Sequence, residues 1–307
     1  MARRGFSQER FKVFYFLALL AGVLVTLMIG ANGGLSAYYG IYKASVIIHV
    51  IGLAALSLTL LLRRENPLAH FKKGFLWFIY LGGVIGVFTT LFLNFAFGKI
   101  SISAIMALGL LGQSIMGLLI DQFGLFGMPR YPFHPRKLIG IIIVSAGIFV
   151  MIDSFVLIPV LISFAAGICV VLSRTLNARL SEASSVYTST FYNYVTGLSV
   201  SIIALFVLAQ ADLASGFSFV ANPWIYLGGL LGAAVVFIGN VTVPKVSAFY
   251  LTLLMFSGQV FSGVIFDQIV ATEFAALILV GGILVVAGLC IDLVIDRRHR
   301  NKLANSS

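Results

Sequence analysis

The sequence predicts an all-α, polytopic membrane protein: ten transmembrane helices forming a 5+5 inverted-topology repeat, with both termini cytoplasmic. Three observations carry this. The chain is 60% hydrophobic and 10% charged, with a mean hydropathy of +1.08. A soluble domain carries roughly 25% charged residues, so this chain lacks the side chains to coat a water-facing surface. Second, the stretch Tyr80 to Gln122 is rewritten as Tyr226 to Gln268. At a constant offset, Gly82, Gly83, Gly86, Asn94, Lys99, Ser101, Gly112, Gln113, Gly117, Asp121 and Gln122 meet Gly228, Gly229, Gly232, Asn240, Lys245, Ser247, Gly258, Gln259, Gly263, Asp267 and Gln268. Third, the basic residues alternate between loops in the way a membrane topology demands.

A spanning helix needs about 20 mostly apolar residues, and helices close their own backbone hydrogen bonds in lipid. That rule gives spans at 12–32, 44–62, 74–97, 100–121, 137–153, 155–174, 187–210, 223–243, 246–267 and 273–294, with a very tight turn at Asp153-Ser154. The first run follows basic Arg3 and Arg4, as a secretory signal would. It is long, lacks a small-x-small cleavage site and has a partner in the second half, so it is read as a mature helix. Cytoplasmic loops collect Lys and Arg. With the N-terminus inside, eighteen of the twenty basic residues fall on the cytoplasmic side, Arg174 and Arg179 among them, and only Lys43 and Lys99 fall outside.

The repeat reaches beyond the central hairpins. Ala21, Gly22, Asn32, Leu35, Ser36, Gly52 and Leu53 meet Ala166, Gly167, Asn177, Leu180, Ser181, Gly197 and Leu198; Gly140, Ala146 and Gly147 meet Gly281, Ala287 and Gly288. The change in spacing falls in the proline-bearing loop 123–137. The repeats are 1–153 and 154–307, five spans each. An odd number of spans forces the halves into opposite orientations, and such halves can open a central site to each side in turn.

These residues carry a resemblance. Asn32 to Leu35 and Asn177 to Leu180 (Asn-x-x-Leu), the Leu-Gly-Gly openings at 81–83 and 227–229, and the Gly-Gln…Asp-Gln segments resemble the YdcZ-type branch of the EamA-like drug/metabolite transporter superfamily. In that branch a five-span unit commonly stands alone, so this chain looks like two fused units. The resemblance implies transport of a small solute without naming it. Small multidrug exporters, related by fold, use a glutamate deep in the first span; the run Val13 to Gly30 has no acidic residue.

Polar groups at membrane depth are costly and are therefore candidates for function. At about 1.5 Å per residue, Gln113 and Gln259 straddle the midplane, and Asn94 and Asn240 take mirrored depths nearer opposite faces. Amides both donate and accept, which suits a polar solute, although they can equally tie helices together. Asp121 and Asp267 count out near opposite boundaries, where a gate carboxylate for coupling competes with a solvated helix end. His49 lies within the second span opposite Tyr194 in the repeat, and can shuttle protons near neutral pH. Tyr192 and Tyr194, in the run Phe191 to Tyr194, offer ring faces to a cation or planar group, or belong to an aromatic belt. Cys169 and Cys290 sit in apolar runs and form no metal or redox pattern.

The net charge of +10 lies between apolar runs rather than on one face, which argues against a nucleic-acid partner. No nucleotide loop, metal-ligand spacing or nucleophile–base pair stands out, so no enzyme, cofactor or metal is expected. The expected partners are a small-molecule solute and membrane lipids; monomer and homodimer both stay open. The chain is read as a secondary transporter or facilitator of a small polar or cationic organic metabolite in the cytoplasmic membrane. With the aspartates near water, movement down the solute's own gradient, without obligatory proton exchange, is expected. The alternative is a non-transporting membrane subunit or scaffold.

Overall fold

A computed structural model describes residues 2–69, 77–128, 130, 137–151, 156–209, 219–246, 248–270, 279–288, 290–291 and 294. These residues form ten α-helices and contain no β-strand. They are α1 (Ala2–Tyr39), α2 (Ile41–Arg63), α3 (Gly82–Ala96), α4 (Ile102–Phe123), α5 (Lys137–Met151), α6 (Leu157–Ala183), α7 (Val186–Leu208), α8 (Leu227–Thr242), α9 (Ala248–Val270) and the short α10 (Leu279–Gly288). Seven segments among the described residues are long and apolar enough to cross a membrane, drawn from α1–α4 and α6–α8. Short 3₁₀ turns, Trp77–Leu81 and Pro223–Tyr226, lead into α3 and α8. The predicted turn at Asp153-Ser154 lies outside the described residues.

Local chemistry sets the helix ends. Gly40, at φ 78°, breaks α1 from α2. Past α2, Arg64 turns left-handed and the amides of Arg64 and Glu65 reach the carbonyls of Leu61 and Leu60 at 3.1 and 3.0 Å, satisfying carbonyls the helix leaves open. The hairpin between α3 and α4 turns through Gly98, at φ 75°, with nothing within 4 Å of where a Cβ would lie. Ser101 then caps α4, its Oγ accepting from the Ala104 amide at 3.1 Å, and Ser185 caps α7 in the same way at 3.0 Å from the Thr188 amide.

Packing crosses from one repeat to the other. The helix α1 lies on α8 and α9; its counterpart α6 lies on α3 and α4. Between these pairs α4 meets α9 and α2 meets α7. Glycines make the closest approaches, and they come in equivalent pairs. A Cβ on Gly22 would strike the Met255 carbonyl and one on Gly258 the Leu19 carbonyl; a Cβ on Gly167 would strike the Gly109 carbonyl and one on Gly112 the Phe164 carbonyl. Small residues permit such backbone contact in lipid, where apolar burial gives no drive of its own. The helices α5 and α10 pack together at the periphery, Gly147 against Gly281 and Val285, Gly288 against Gly140 and Val144.

Two charged residues sit elsewhere than their sequence positions suggested. The span predicted to end at 174 continues as α6 to Ala183, so Arg174 lies inside a helix rather than in a loop. Asp121 is 7% exposed instead of solvated at a helix end. Counting residues from a turn fixes depth along a helix but not what surrounds it sideways, and α4 is enclosed by α6 and α9.

A two-walled central cavity

A cavity of about 170 Å³ lies between α1–α4 and α6–α9. On a measure where one water takes about 10–15 Å³, it has room for on the order of ten waters. Its lining is drawn from equivalent positions of both repeats, including Gln113 with Gln259, Asn32 with Asn177 and Gly86 with Gly232. The glycine crossings put the glutamines there. Gly167 brings α6 against α4 beside the Gln113 amide, and Gly22 brings α1 against α9 beside the Gln259 amide, each within 3.0 Å of where a Cβ would lie. Both glutamines are buried, 6% and 4% exposed.

Chemistry breaks the positional likeness. On α3, α6 and α7 the lining includes Thr89, Thr90, Ser173, Arg174 and Asn193. The equivalent positions on α8, α1 and α2 are Val235, Val236, Met28, Ile29 and Ile48, which also line the cavity. At these five positions one wall is therefore polar and its equivalent apolar, although Asn32, His49 and Asn240 add polar groups to the second side.

The polar wall is held in a network. Asn177 donates through Nδ2 to Asn193 Oδ1 at 2.7 Å and to Ser173 Oγ at 3.3 Å. Ser173 donates to the Gly82 carbonyl at 2.7 Å, and Ser189 to the Asn177 carbonyl at 2.6 Å. Asn177 lies over Gly82, as Asn32 lies over Gly228, because a Cβ at either glycine would occupy the amide's place. At the equivalent position Ile48 replaces Asn193, so Asn32 Nδ2 has no counterpart of that acceptor, and Asn32 Oδ1 is buried with no hydrogen-bond partner among the described residues.

Among the predicted residues, Gln113, Gln259, Asn240, His49 and Tyr194 line the cavity. Asn240 also donates to Ser189 and Thr190 at 3.2 and 3.0 Å. His49 donates through Nδ1 to the Ser45 carbonyl at 2.7 Å, which leaves Nε2 as the acceptor of the neutral ring. The two rings lie 5.6 Å apart, with His49 over Gly197 and Tyr194 over Gly52, and the Tyr194 hydroxyl donates to the Gly229 carbonyl at 3.2 Å. Asn94 and Tyr192 are buried outside this lining; Tyr192 packs edge-on against Tyr80, 5.2 Å between ring centroids. Asp267 belongs to α9, with its side chain outside the described set.

Sequence reasoning missed Arg174 as a lining residue. It reaches from α6 to α9, with Nη1 3.2 Å from Met255 Sδ and Nη2 3.0 Å from Thr252 Oγ1. The Asp121 carboxylate acts on it electrostatically. A signal was available: Asn177, one turn further along, pairs with Asn32 in the repeat, so the span had reason to continue past 174. Asn32 and Asn177 were recognised as a signature but not as cavity residues.

The family described as "Putative inner membrane exporter, YdcZ", of the drug/metabolite transporter superfamily, matches this chain twice, over residues 13–150 and 158–291. No curated protein matches it. Among 22 solved chains of similar fold, one crystal structure superposes with a TM-score of 0.65 at 16% identity, covering 93% of this chain and 97% of its own. That identity speaks for the fold alone. With the double match and the apolar spans, the chain belongs to the YdcZ family, as a multi-pass inner-membrane transporter made of two family units joined in one polypeptide.

Proposed function

We propose that this protein is a secondary transporter or facilitator that moves a small polar solute out of the cell by alternating access. In this reading each repeat contributes five spans of opposite orientation, and both termini are cytoplasmic. The observation that carries it is the central cavity lined by both glutamines and by equivalent positions of the two repeats. A scaffold could use buried amides to tie helices together, but has no use for setting them around a void of about 170 Å³. Two halves with interchangeable packing can, in contrast, exchange conformations about a fixed site. The equivalent glycine crossings supply such packing, and the exporter description of the family supplies the direction. A charged wall residue, Arg174, works against the cationic solutes first considered.

The test is accessibility from both faces. Thr90→Cys, on the polar wall, should react with a membrane-impermeant maleimide in right-side-out and in inverted vesicles alike. Reaction in only one of the two preparations would describe a one-sided pit and defeat alternating access.

A further inference from the structure

Arg174 is the one side chain of fixed charge among the described lining residues. It is half-buried inside a spanning helix, where charge is expensive and is retained for a purpose. Its hydrogen bonds among the described residues go to a thioether and a hydroxyl, both neutral acceptors. A guanidinium carries five donors in a planar fork that matches a carboxylate. Its equivalent in the other repeat is Ile29, which packs with Ile102 and Met106. The charge is thus a departure from the repeat, not a product of it. The equivalent positions on α1 and α8, among them Met28, Val235 and Val236, offer the cavity apolar side chains.

From these observations, and resting on the transport reading above, we infer that the solute is a small organic monoanion with an apolar body: an anionic group, of carboxylate type, seated on Arg174 and the polar wall, with the body against α1 and α8. One guanidinium, its charge already partly offset by Asp121, balances at most one negative charge. A divalent phosphate would leave charge uncompensated beside neutral amides, and an ammonium would find no carboxylate among the described lining residues.

The charge preference is measurable before any substrate is known. Full-length protein carrying Cys169→Ser, Cys290→Ser and Val236→Cys is reconstituted and treated with methanethiosulfonates bearing a sulfonate, a trimethylammonium or a neutral group. Rates are normalised to a free thiol. The anionic reagent should outpace the cationic one by at least about tenfold, and Arg174→Gln should collapse the ratio towards one, with Arg174→Lys restoring part of it. A cation preference, or a ratio unmoved by Arg174→Gln, overturns the inference while leaving the cavity intact. Failure of the neutral reagent to react from either side overturns the cavity reading itself. In a second arm, benzoate should protect Val236→Cys, whereas benzamide, benzylammonium and inorganic phosphate should not. Protection by benzamide equal to that by benzoate shows that charge is not what is recognised. Protection by phosphate alone shows a free inorganic anion without an apolar body.

Discussion

Asn32 and Asn177 are the same residue at equivalent positions, each laid over an equivalent glycine, yet their removal should cost different amounts. Replacing either with Ala deletes the same atoms against the same kind of surface, so the packing loss largely cancels in the comparison. What remains is hydrogen bonding. Asn177→Ala removes the 2.7 Å bond to Asn193 and the 3.3 Å bond to Ser173. A good side-chain bond within a membrane protein averages about 0.6 kcal/mol and reaches about 1.7. Stranding the Asn193 acceptor adds part of a desolvation penalty of about 1–3 kcal/mol, reduced because Asn193 borders the cavity and can recruit water. The difference between the two variants should therefore be about 2 kcal/mol, with Asn177→Ala the weaker protein. Asn32→Ala forfeits no partner for Oδ1, which has none among the described residues. Equilibrium unfolding in mixed detergent micelles, titrated with a denaturing surfactant, measures both variants against the parent. Equal losses, or a larger loss at Asn32, would refute the claim that the network on α6 and α7 is what distinguishes the two halves.

Other consequences follow from particular contacts. Gly22→Leu and Gly167→Leu each drive a side chain into a facing carbonyl and should abolish monodisperse protein in size-exclusion chromatography, while Gly117→Ala, with nothing within 4 Å, should leave the yield unchanged. Glu65 accepts from Ser185 and from Thr188, the latter at 3.2 Å, fastening the end of α2 to the start of α7. Glu65→Ala should cost about 1 kcal/mol and speed hydrogen exchange at 184–189; unchanged exchange would show that the α7 cap holds alone. Asp121→Asn removes the negative charge acting on Arg174 and should raise the anion-to-cation labelling ratio at Val236→Cys several-fold; a fall would reverse the assigned electrostatics. For topology, Asn222→Cys should label from outside intact cells and Pro67→Cys only after permeabilisation, and the opposite pattern would invert the whole assignment.

Features that follow from order along the chain were legible before folding. Apolar run length gives the helices, because lipid forces each backbone to bond within itself. The recurrence of Gly82 to Gln122 as Gly228 to Gln268 exposes the duplication, and the period of that recurrence places Gln113 and Gln259 at matching depths. What the sequence could not decide is which side of a helix is enclosed. Asp121 stood at the right depth and was read as wet; neighbours from the other repeat bury it. Arg174 was placed in a loop by its charge, because the polar residues from Arg174 to Glu182 lower the hydropathy that ends a predicted span, while the helix continues where helices of the bundle cover it. Asn94 and Asn240 are indistinguishable in the repeat, yet Asn240 alone borders the cavity. The polar and apolar walls are likewise a tertiary product. Thr89, Ser173 and Asn193 lie on three helices far apart in the chain, and only the packing of α3 on α6 and α7 gathers them opposite Met28, Ile48 and Val235. Duplication preserved the shape of the site in both halves; substitution on one side of it set the chemistry, and that side exists only in the folded bundle.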